Sequence, residues 1–174
     1  PLRTRLGDAV AYLEQLTQQY SDKDDGLTDE RQPTEMTPLN FVAETTAEMF
    51  APEAKKRGVA LKVLKGKGAT QISGLALIRS CSNLVANAVR HAKASEVTIE
   101  VLSGPTSALV VSDNGVGMDQ VTLAKVQQRG RKSGTSTGEG LGLAIVHELA
   151  EEHGFRFILS SKKGKGTQGR LIFE

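Results

Sequence analysis

Three short polar segments, each bordering an apolar helix or strand, constrain this chain more than any other feature. They are residues 83–91 (NLVANAVRH), 113–118 (DNGVGM) and 138–143 (GEGLGL), in that order. Each segment alone is a weak signal, because Asp-Asn-Gly turns and glycine-rich loops occur in many folds. The ordered set is far more specific, and it predicts that the fold brings three polar patches to one pocket.

The size and charge of the chain narrow the class of protein. Its 174 residues are enough for one core, and 22 Lys and Arg against 20 Asp and Glu leave no global charge that favours nucleic acid or a membrane surface. No apolar run approaches the length of a membrane span. The single cysteine, Cys81, lies on the apolar side of a predicted helix, so we expect a buried thiol rather than a nucleophile.

The organisation along the chain predicts three parts. Residues 1–21 repeat apolar side chains at alternating spacings of four and three, which is typical of a coiled-coil-like helix. Residues 22–36 are polar and turn-rich and are predicted to be a linker, and residues 37–174 form the main domain. The helix seam either docks on this domain or pairs with a second chain, and we favour pairing because a linker follows it.

Hydrophobic periodicity predicts a mixture of helices and strands in the main domain. The predicted helices are Asn40–Arg57, Leu75–Ala92, 119–129 and 141–153, and the predicted strands are Val59–Leu64, Val97–Val101, Ala108–Val111, Phe155–Ser160 and Thr167–Phe173. The strand Ala108–Val111 is apolar on both faces and is therefore expected to be central. Since helices and strands do not alternate strictly, we expect an α+β fold, a two-layer sandwich with helices on one face of a mixed β-sheet.

The first polar segment places two asparagines on one face of a helix. Asn83 and Asn87 are four residues apart and stand one above the other. Asparagine is a mediocre helix former, so either this face is simply solvated or the amides bind something. An amide oxygen is a neutral hard ligand that suits Mg²⁺, and Arg90 and His91 would then reach phosphate oxygens.

The second segment places a carboxylate at the end of the apolar strand. Asp113 directly follows this strand, where it is held at the mouth of a pocket. Facing an adenine, its oxygen would accept from the exocyclic amine, which guanine lacks at that position. Gly115 and Gly117 would let the backbone approach the base. The alternative is an ordinary tight turn, which Asp-Asn-Gly forms very often.

The third segment places glycines at the start of an apolar helix. Gly138, Gly140 and Gly142 leave backbone N–H groups unhindered beside the helix N-terminus, where partial positive charge favours phosphate. The spacing matches neither a P-loop nor a dinucleotide-binding turn. A flexible linker is the remaining alternative, although linkers seldom lead directly into an apolar helix.

In this order the segments resemble the N, G1 and G2 boxes of the ATP-binding superfamily shared by DNA gyrase, the ninety-kilodalton chaperone, sensor histidine kinases and the MutL proteins. The resemblance runs from Thr37 to the C-terminus and is greatest for the catalytic domain of bacterial sensor histidine kinases. It implies a Bergerat-type fold, ATP and Mg²⁺ as ligands, and Asn87 as the metal ligand. The implied ligand-binding residues are Asn83, Asn87, Arg90, His91, Asp113, Gly115, Gly117, Met118, Arg131, Lys132, Gly138, Gly140, Leu141, Gly142, Leu143 and Thr167. Among them, the hydroxyl of Thr167 is expected to support the adenine aspartate through water.

One position separates the activities within this superfamily. Its ATPases resemble one another in carrying a glutamate base four residues before the magnesium asparagine, whereas this chain has Asn83. An amide cannot take a proton near neutral pH, so ATP hydrolysis is expected to be slow. A histidine kinase needs no such base, because a neutral imidazole is itself nucleophilic. The resemblance therefore implies a protein histidine kinase in which Asn83, Asn87 and Arg90 are catalytic.

The resemblance also has gaps. The phenylalanine of the F box has no counterpart in residues 126–129, and His147 lacks the sequence around a phosphoacceptor histidine. Two alternatives remain open: a non-catalytic ATP-responsive signalling module and, less favoured, an ATPase. Residues 1–21 resemble the C-terminal part of a dimerisation and phosphotransfer helix. Since the chain begins with Pro1, we expect a fragment that lacks the part of this hairpin that bears the phosphoacceptor histidine.

The resemblance implies a setting for the parent protein as well. The implied partners are the missing hairpin, a response regulator and a second copy in a full-length homodimer, with no nucleic acid. We expect a cytoplasmic domain of a bacterial protein anchored in the inner membrane.

Overall fold

The computed structural model describes residues 36–131 and 141–174, and residues Met36–Glu174 form one compact unit. The predicted N-terminal helix and all of the predicted linker except Met36 lie outside the described residues, as do Lys132, Gly138 and Gly140. The described elements are, in chain order, β1 (Thr37–Pro38), α1 (Leu39–Arg57), β2 (Ala60–Leu64), β3 (Ala69–Thr70), α2 (Gly74–Arg90), β4 (Glu96–Leu102), β5 (Ser107–Asp113), α3 (Gln120–Arg131), α4 (Leu141–His153), β6 (Arg156–Lys162) and β7 (Gly166–Phe173).

The main sheet is mixed and has the order β2-β4-β5-β7-β6. Strands β2 and β4 are parallel, and the other neighbours are antiparallel. The helices cover one face, which confirms the predicted α+β two-layer sandwich. Strand β5 is central, as its apolar character on both faces predicts, with Leu109 and Val110 almost fully buried. The small antiparallel ribbon of β1 and β3 was not predicted, because two residues on each side carry no periodicity.

Helix boundaries follow local chemistry closely. Helix α1 ends where predicted, because Gly58 adopts the left-handed conformation (φ 70°) and its N–H donates to the Lys55 carbonyl at 3.2 Å. Helix α2 is strongly amphipathic and ends at Arg90, two residues before the predicted end. Its apolar side lies in the core.

The thiol of Cys81 lies on this apolar side and is fully buried. Burial raises its pKa to about 12, as expected for a structural thiol.

Strand β5 extends two residues beyond its predicted end. Asp113 is its last residue rather than the residue after it, and it pairs with Val97 of β4. The side chain of Asn114 then joins the two strands, since its oxygen accepts from the N–H groups of Ser95 and Glu96 at 3.0 Å each. The strand pairing at Asp113 and the hydrogen bonds of Asn114 therefore fix the position of Asp113 relative to β4.

Within the described residues, no helix is long and apolar enough to cross a membrane.

Candidate nucleotide site

A cavity of about 310 Å³ lies between α2 and the sheet, at the end where β5 finishes. It brings together residues of all three polar segments. Its polar lining comes from Asn87, His91, Asp113 and Thr167, and its apolar lining from Leu84, Ala88, Val111, Val116, Met118, Val126, Leu143 and Leu159. A mostly apolar wall with a few convergent polar groups is the usual composition of a site for a flat organic ligand.

Asp113 is the half-buried carboxylate of this cavity. Its Oδ1 accepts from the backbone N–H of Gly115 at 2.8 Å and from that of Thr167 at 3.3 Å. Burial raises the pKa of this carboxyl, and the two backbone N–H groups partly offset that effect. No described residue donates to Oδ2. One oxygen therefore fixes the side chain, and the other is available to a ligand.

The glycines beside Asp113 let backbone segments approach one another. A Cβ on Gly117, which has a φ of 62°, would overlap the carbonyl oxygen of Lys162, and a Cβ on Gly166 (φ 87°) would overlap that of Asp113. Gly117 also lines the cavity. Gly115 does not line it, because the space beside its Cα is filled by the carbonyl of Ala92. Close packing of the backbone, rather than approach of a base, explains Gly115.

The two asparagines of α2 have different surroundings. Asn87 lines the cavity, and within residues 36–131 and 141–174 its carboxamide makes no hydrogen bond. Asn83 lies outside the cavity lining, and its Nδ2 donates to the carbonyl of Arg79 at 2.8 Å. Both face the first turn of α4: a Cβ on Gly142 would lie 3.2 Å from Oδ1 of Asn83 and 3.7 Å from the carboxamide of Asn87. Gly142, which has no side chain, therefore lets the N-terminus of α4 pack closely against Asn83 and Asn87.

Arg90 and His91, which the sequence assigns together to phosphate, separate in the structure. His91 lines the cavity. The guanidinium of Arg90 instead donates to both carboxylate oxygens of Glu53 on α1, at 2.9 Å each, and lies over the ring of Phe50. The hydrogen bond from Arg90 is the main reason why the pKa of Glu53 is lowered. In the structure Arg90 is therefore paired with α1, which supplies a carboxylate that the sequence pattern does not reveal.

Sequence reasoning missed Ser161 and Gly169. The hydroxyl of Ser161 on β6 accepts from the N–H of Met118 at 2.8 Å and lies 2.8 Å from the hydroxyl of Thr167. Thr167 contacts Asp113 directly through its backbone N–H. The hydroxyl of Thr167, which is expected to support the aspartate through water, forms a hydrogen bond with Ser161. Gly169 lines the cavity, where a Cβ would approach Leu84 to 3.0 Å.

The other predicted residues contribute less to the described geometry. Met118 and Leu143 line the cavity. Arg131 is described only as the last residue of α3, and Leu141 only as the first residue of α4.

Comparison with known proteins agrees with this geometry. Residues 73–174 match the family model described as histidine kinase-, DNA gyrase B- and HSP90-like ATPases. The sensor protein IrlS of Burkholderia pseudomallei is 34% identical over 119 residues, which cover 64% of this chain and 25% of that protein. The sensor histidine kinase GtrS of Pseudomonas aeruginosa is 29% identical over 148 residues, which cover 83% of this chain and 30% of that protein. The chain therefore spans about a quarter to a third of the length of these two relatives.

Solved structures show the same fold. The mycobacterial sensor histidine kinase MprB superposes with a TM-score of 0.65 at 21% identity, over 81% of this chain and 97% of that one. ShkA, solved in complex with AMPPNP, gives a TM-score of 0.67 at 21% identity, over 83% of this chain and 32% of that one. The chain belongs to the family of histidine kinase-, DNA gyrase B- and HSP90-like ATPases, and it carries the ATP-binding domain of a sensor histidine kinase.

Proposed function

We propose that this domain binds ATP with Mg²⁺ and that the protein to which it belongs transfers the γ-phosphoryl group to a histidine outside these 174 residues. The observation that carries the proposal is the state of Asp113. Its Oδ1 is bonded to two backbone N–H groups, while Oδ2 has no donor among the described residues, and Asp113 lines a mostly apolar cavity.

The base would lie at the Asp113 end of the cavity. A carboxylate oxygen accepts from the exocyclic amine of adenine, whereas guanine presents an oxygen at that position and would be repelled. Val111, Leu159 and Ala88 supply apolar contacts for the ring. This arrangement supports selection of adenine over guanine.

The metal would lie toward Asn87. Its carboxamide is without a hydrogen bond among the described residues, and an amide oxygen is a suitable ligand for Mg²⁺. The described residues contain no group of three His, Cys, Asp or Glu that could hold a metal, so the phosphates would supply the negative charge. When bound, Mg²⁺ neutralises charge on those phosphates.

The phosphates would lie beside the N-terminus of α4. Gly142 and Leu143 bring this helix end to Asn87, and the helix dipole favours the negative charge there. His91 is available as a further phosphate contact. Arg131, Lys132, Gly138 and Gly140 remain predicted phosphate ligands, whereas we assign Arg90 to the pairing of α1 with α2 rather than to the ligand.

The transfer itself would need no base from this domain. Asn83 donates to a backbone carbonyl and cannot accept a proton at neutral pH, which disfavours activation of water. The nitrogen of a neutral imidazole forms the new N–P bond while the bond between the γ-phosphorus and the bridging oxygen breaks, and ADP leaves. A response regulator is the proposed recipient of the phosphoryl group in turn.

We further propose that the parent is a homodimer anchored in the inner membrane, with this domain in the cytoplasm. The apolar seam of residues 1–21 supports pairing of two chains. The main competing function is an ATP-responsive module without transfer. It is favoured by Val126, which lines the cavity in a region where the resembling kinases carry the F-box phenylalanine.

A calorimetric titration with ATP and GTP, with and without Mg²⁺, tests the binding proposal. The wild-type chain should prefer ATP, and Asp113→Asn should lose that preference, since one charged hydrogen bond changes affinity by about tenfold or more. Asn87→Ala should lose mainly the Mg²⁺-dependent part of the affinity. Asp119→Asn is the matched control, because Asp119 is an exposed carboxylate at the start of α3 and lies outside the cavity lining. Equal binding of ATP and GTP by the wild type would sink the adenine assignment.

Transfer is tested by supplying the purified chain with the phosphoacceptor hairpin of its parent protein and labelled ATP. Label on a hairpin histidine supports the kinase, and ATP binding without label supports the ATP-responsive module. Multiple turnover of phosphate release without any acceptor would instead establish an ATPase.

A further inference from the structure

The hydroxyl of Ser161 is shared by three partners at the base end of the cavity. It accepts from the N–H of Met118 at 2.8 Å, lies 3.0 Å from the carbonyl oxygen of Gly166, and lies 2.8 Å from the hydroxyl oxygen of Thr167. Ser161 is half-buried and lies on β6, opposite Thr167 in the register of β6 and β7. None of these contacts involves Asp113 directly.

Counting protons decides which way these hydrogen bonds run. A serine hydroxyl has one proton and two acceptor sites. All three contacts are satisfied together only if Ser161 donates to the Gly166 carbonyl and accepts from both Met118 and Thr167. The proton of Thr167 is then used, and its oxygen is left as an acceptor. The reverse arrangement, with Ser161 donating to Thr167, leaves the Gly166 carbonyl without this donor.

Because Thr167 lines the cavity, the direction of its hydrogen bond with Ser161 determines what its hydroxyl presents to a ligand. Thr167 lines the cavity, and its backbone N–H bonds to Asp113 at 3.3 Å, so the two side chains are neighbours. With its proton turned to Ser161, Thr167 presents an acceptor to the same cavity as the carboxylate of Asp113. Two neighbouring acceptors suit an amine with two N–H groups and repel a carbonyl oxygen.

We propose that Ser161 is a positioning residue that determines base specificity: by accepting the Thr167 proton, it makes Thr167 a second acceptor that favours a 6-amino purine over a 6-oxo purine. This inference rests on the proposed binding of adenine at Asp113. Ser161 itself does not touch the ligand, because it lies outside the cavity lining and acts through Thr167.

The test compares ATP with ITP, which carries an oxygen in place of the 6-amino group. Ser161→Ala frees the Thr167 hydroxyl to donate to a carbonyl, so the ratio of ATP affinity to ITP affinity should fall by about fivefold, the equivalent of one neutral hydrogen bond. Thr167→Val, which removes the second acceptor, should lower the ratio similarly. In the Thr167→Val background, Ser161→Ala should change the ratio no further, because the residue through which it acts is gone.

Ser160→Ala is the matched control. Ser160 is the exposed neighbour of Ser161 on the opposite face of β6, and its side chain makes no hydrogen bond among the described residues, so its ratio should equal that of the wild type. Thermal unfolding of each variant reports on a purely structural role. If Ser161→Ala fails to fold, Thr167→Val and the wild type still carry the test.

Each outcome distinguishes the two proposals. If the wild type binds neither nucleotide, the proposed function itself is overturned. If the wild type prefers ATP but Ser161→Ala weakens ATP and ITP equally, or if its effect persists unchanged in the Thr167→Val background, Ser161 has only a structural role and the inference is overturned. A ratio in Thr167→Val equal to that of the wild type would also overturn it.

Discussion

The two ends of the cavity are held by different kinds of interaction. At the base end, Asp113 is fixed by backbone N–H groups, and glycines allow the surrounding segments to pack backbone against backbone. At the proposed phosphate end, the side chain of Asn87 makes no hydrogen bond among the described residues, and Arg90 is bonded to Glu53 rather than facing the cavity. In the proposed function, recognition of the base would therefore be built into the fold, whereas contacts to the phosphates would depend on individual side chains.

Two carboxylates illustrate the same contrast. The pKa of Asp113 is raised, because burial outweighs its two backbone hydrogen bonds. The pKa of Glu53 is lowered, mainly because the guanidinium of Arg90 donates to it. Asp113 is held in a position that costs stability, which is typical of a functional group, while Glu53 and Arg90 stabilise each other.

The largest expected effect comes from breaking the backbone packing at the base end. Gly117→Ala would force a Cβ against the carbonyl of Lys162 at a positive φ, and we expect a loss of about 2 to 4 kcal/mol in unfolding free energy together with loss of ATP binding. Gly164→Ala is the matched control. Its φ is 75°, but nothing lies within 4 Å of the added Cβ, so only about 1 kcal/mol of backbone strain is expected.

Denaturant unfolding and ATP titration of both variants make the comparison. Equal losses of stability in Gly117→Ala and Gly164→Ala would contradict the importance of backbone packing at Gly117.

The pH dependence of stability should have opposite signs for the two carboxylates. Because the folded-state pKa of Asp113 is raised, the stability of the wild type relative to Asp113→Asn should fall as pH rises from about 4 through that raised pKa. Because the pKa of Glu53 is lowered, the stability of the wild type relative to Glu53→Gln should be present above about 4.5 and be lost as pH falls through the lowered pKa.

Chemical unfolding between pH 3 and 7 at constant ionic strength measures both differences. Slopes of the same sign for the two variants would contradict the opposite environments of these carboxylates.

The smallest expected effect is the change in ATP affinity when Arg90 is replaced. Arg90→Ala should lower the unfolding free energy by about 1 kcal/mol, as expected for a partly exposed ion pair, and should change ATP affinity less than twofold. Glu53→Gln should cost a similar amount, and the double variant should cost less than the sum of the two. Arg57→Ala, which removes the more exposed partner of Glu53, serves as the control for loss of charge on this surface. A tenfold loss of ATP affinity in Arg90→Ala would restore its predicted role at the phosphates.

Much of the architecture was predictable because it follows local patterns. Helical periodicity located α1, α2 and α4 to within two residues, and a strand that is apolar on both faces identified β5 as central. Asn87 and Asp113, the polar residues that interrupt these patterns, were also identifiable. Asparagine is a mediocre helix former, and a carboxylate at the end of an apolar strand is unfavourable to bury unless it binds something. The ribbon of β1 and β3 escaped prediction, because elements of two residues have no period.

The sequence by itself thus determined most of the elements, the class of fold and four polar side chains that line the cavity, those of Asn87, His91, Asp113 and Thr167, because all of these depend on periodicity and on residue chemistry. Only the tertiary structure decided which partners those side chains have. Glu53 lies 37 residues from Arg90 and Ser161 lies 43 residues from Met118, and contacts so distant in sequence leave no local signal. They arise when strands pair and helices pack, and here they pair Arg90 with Glu53 and Ser161 with Met118 and Thr167.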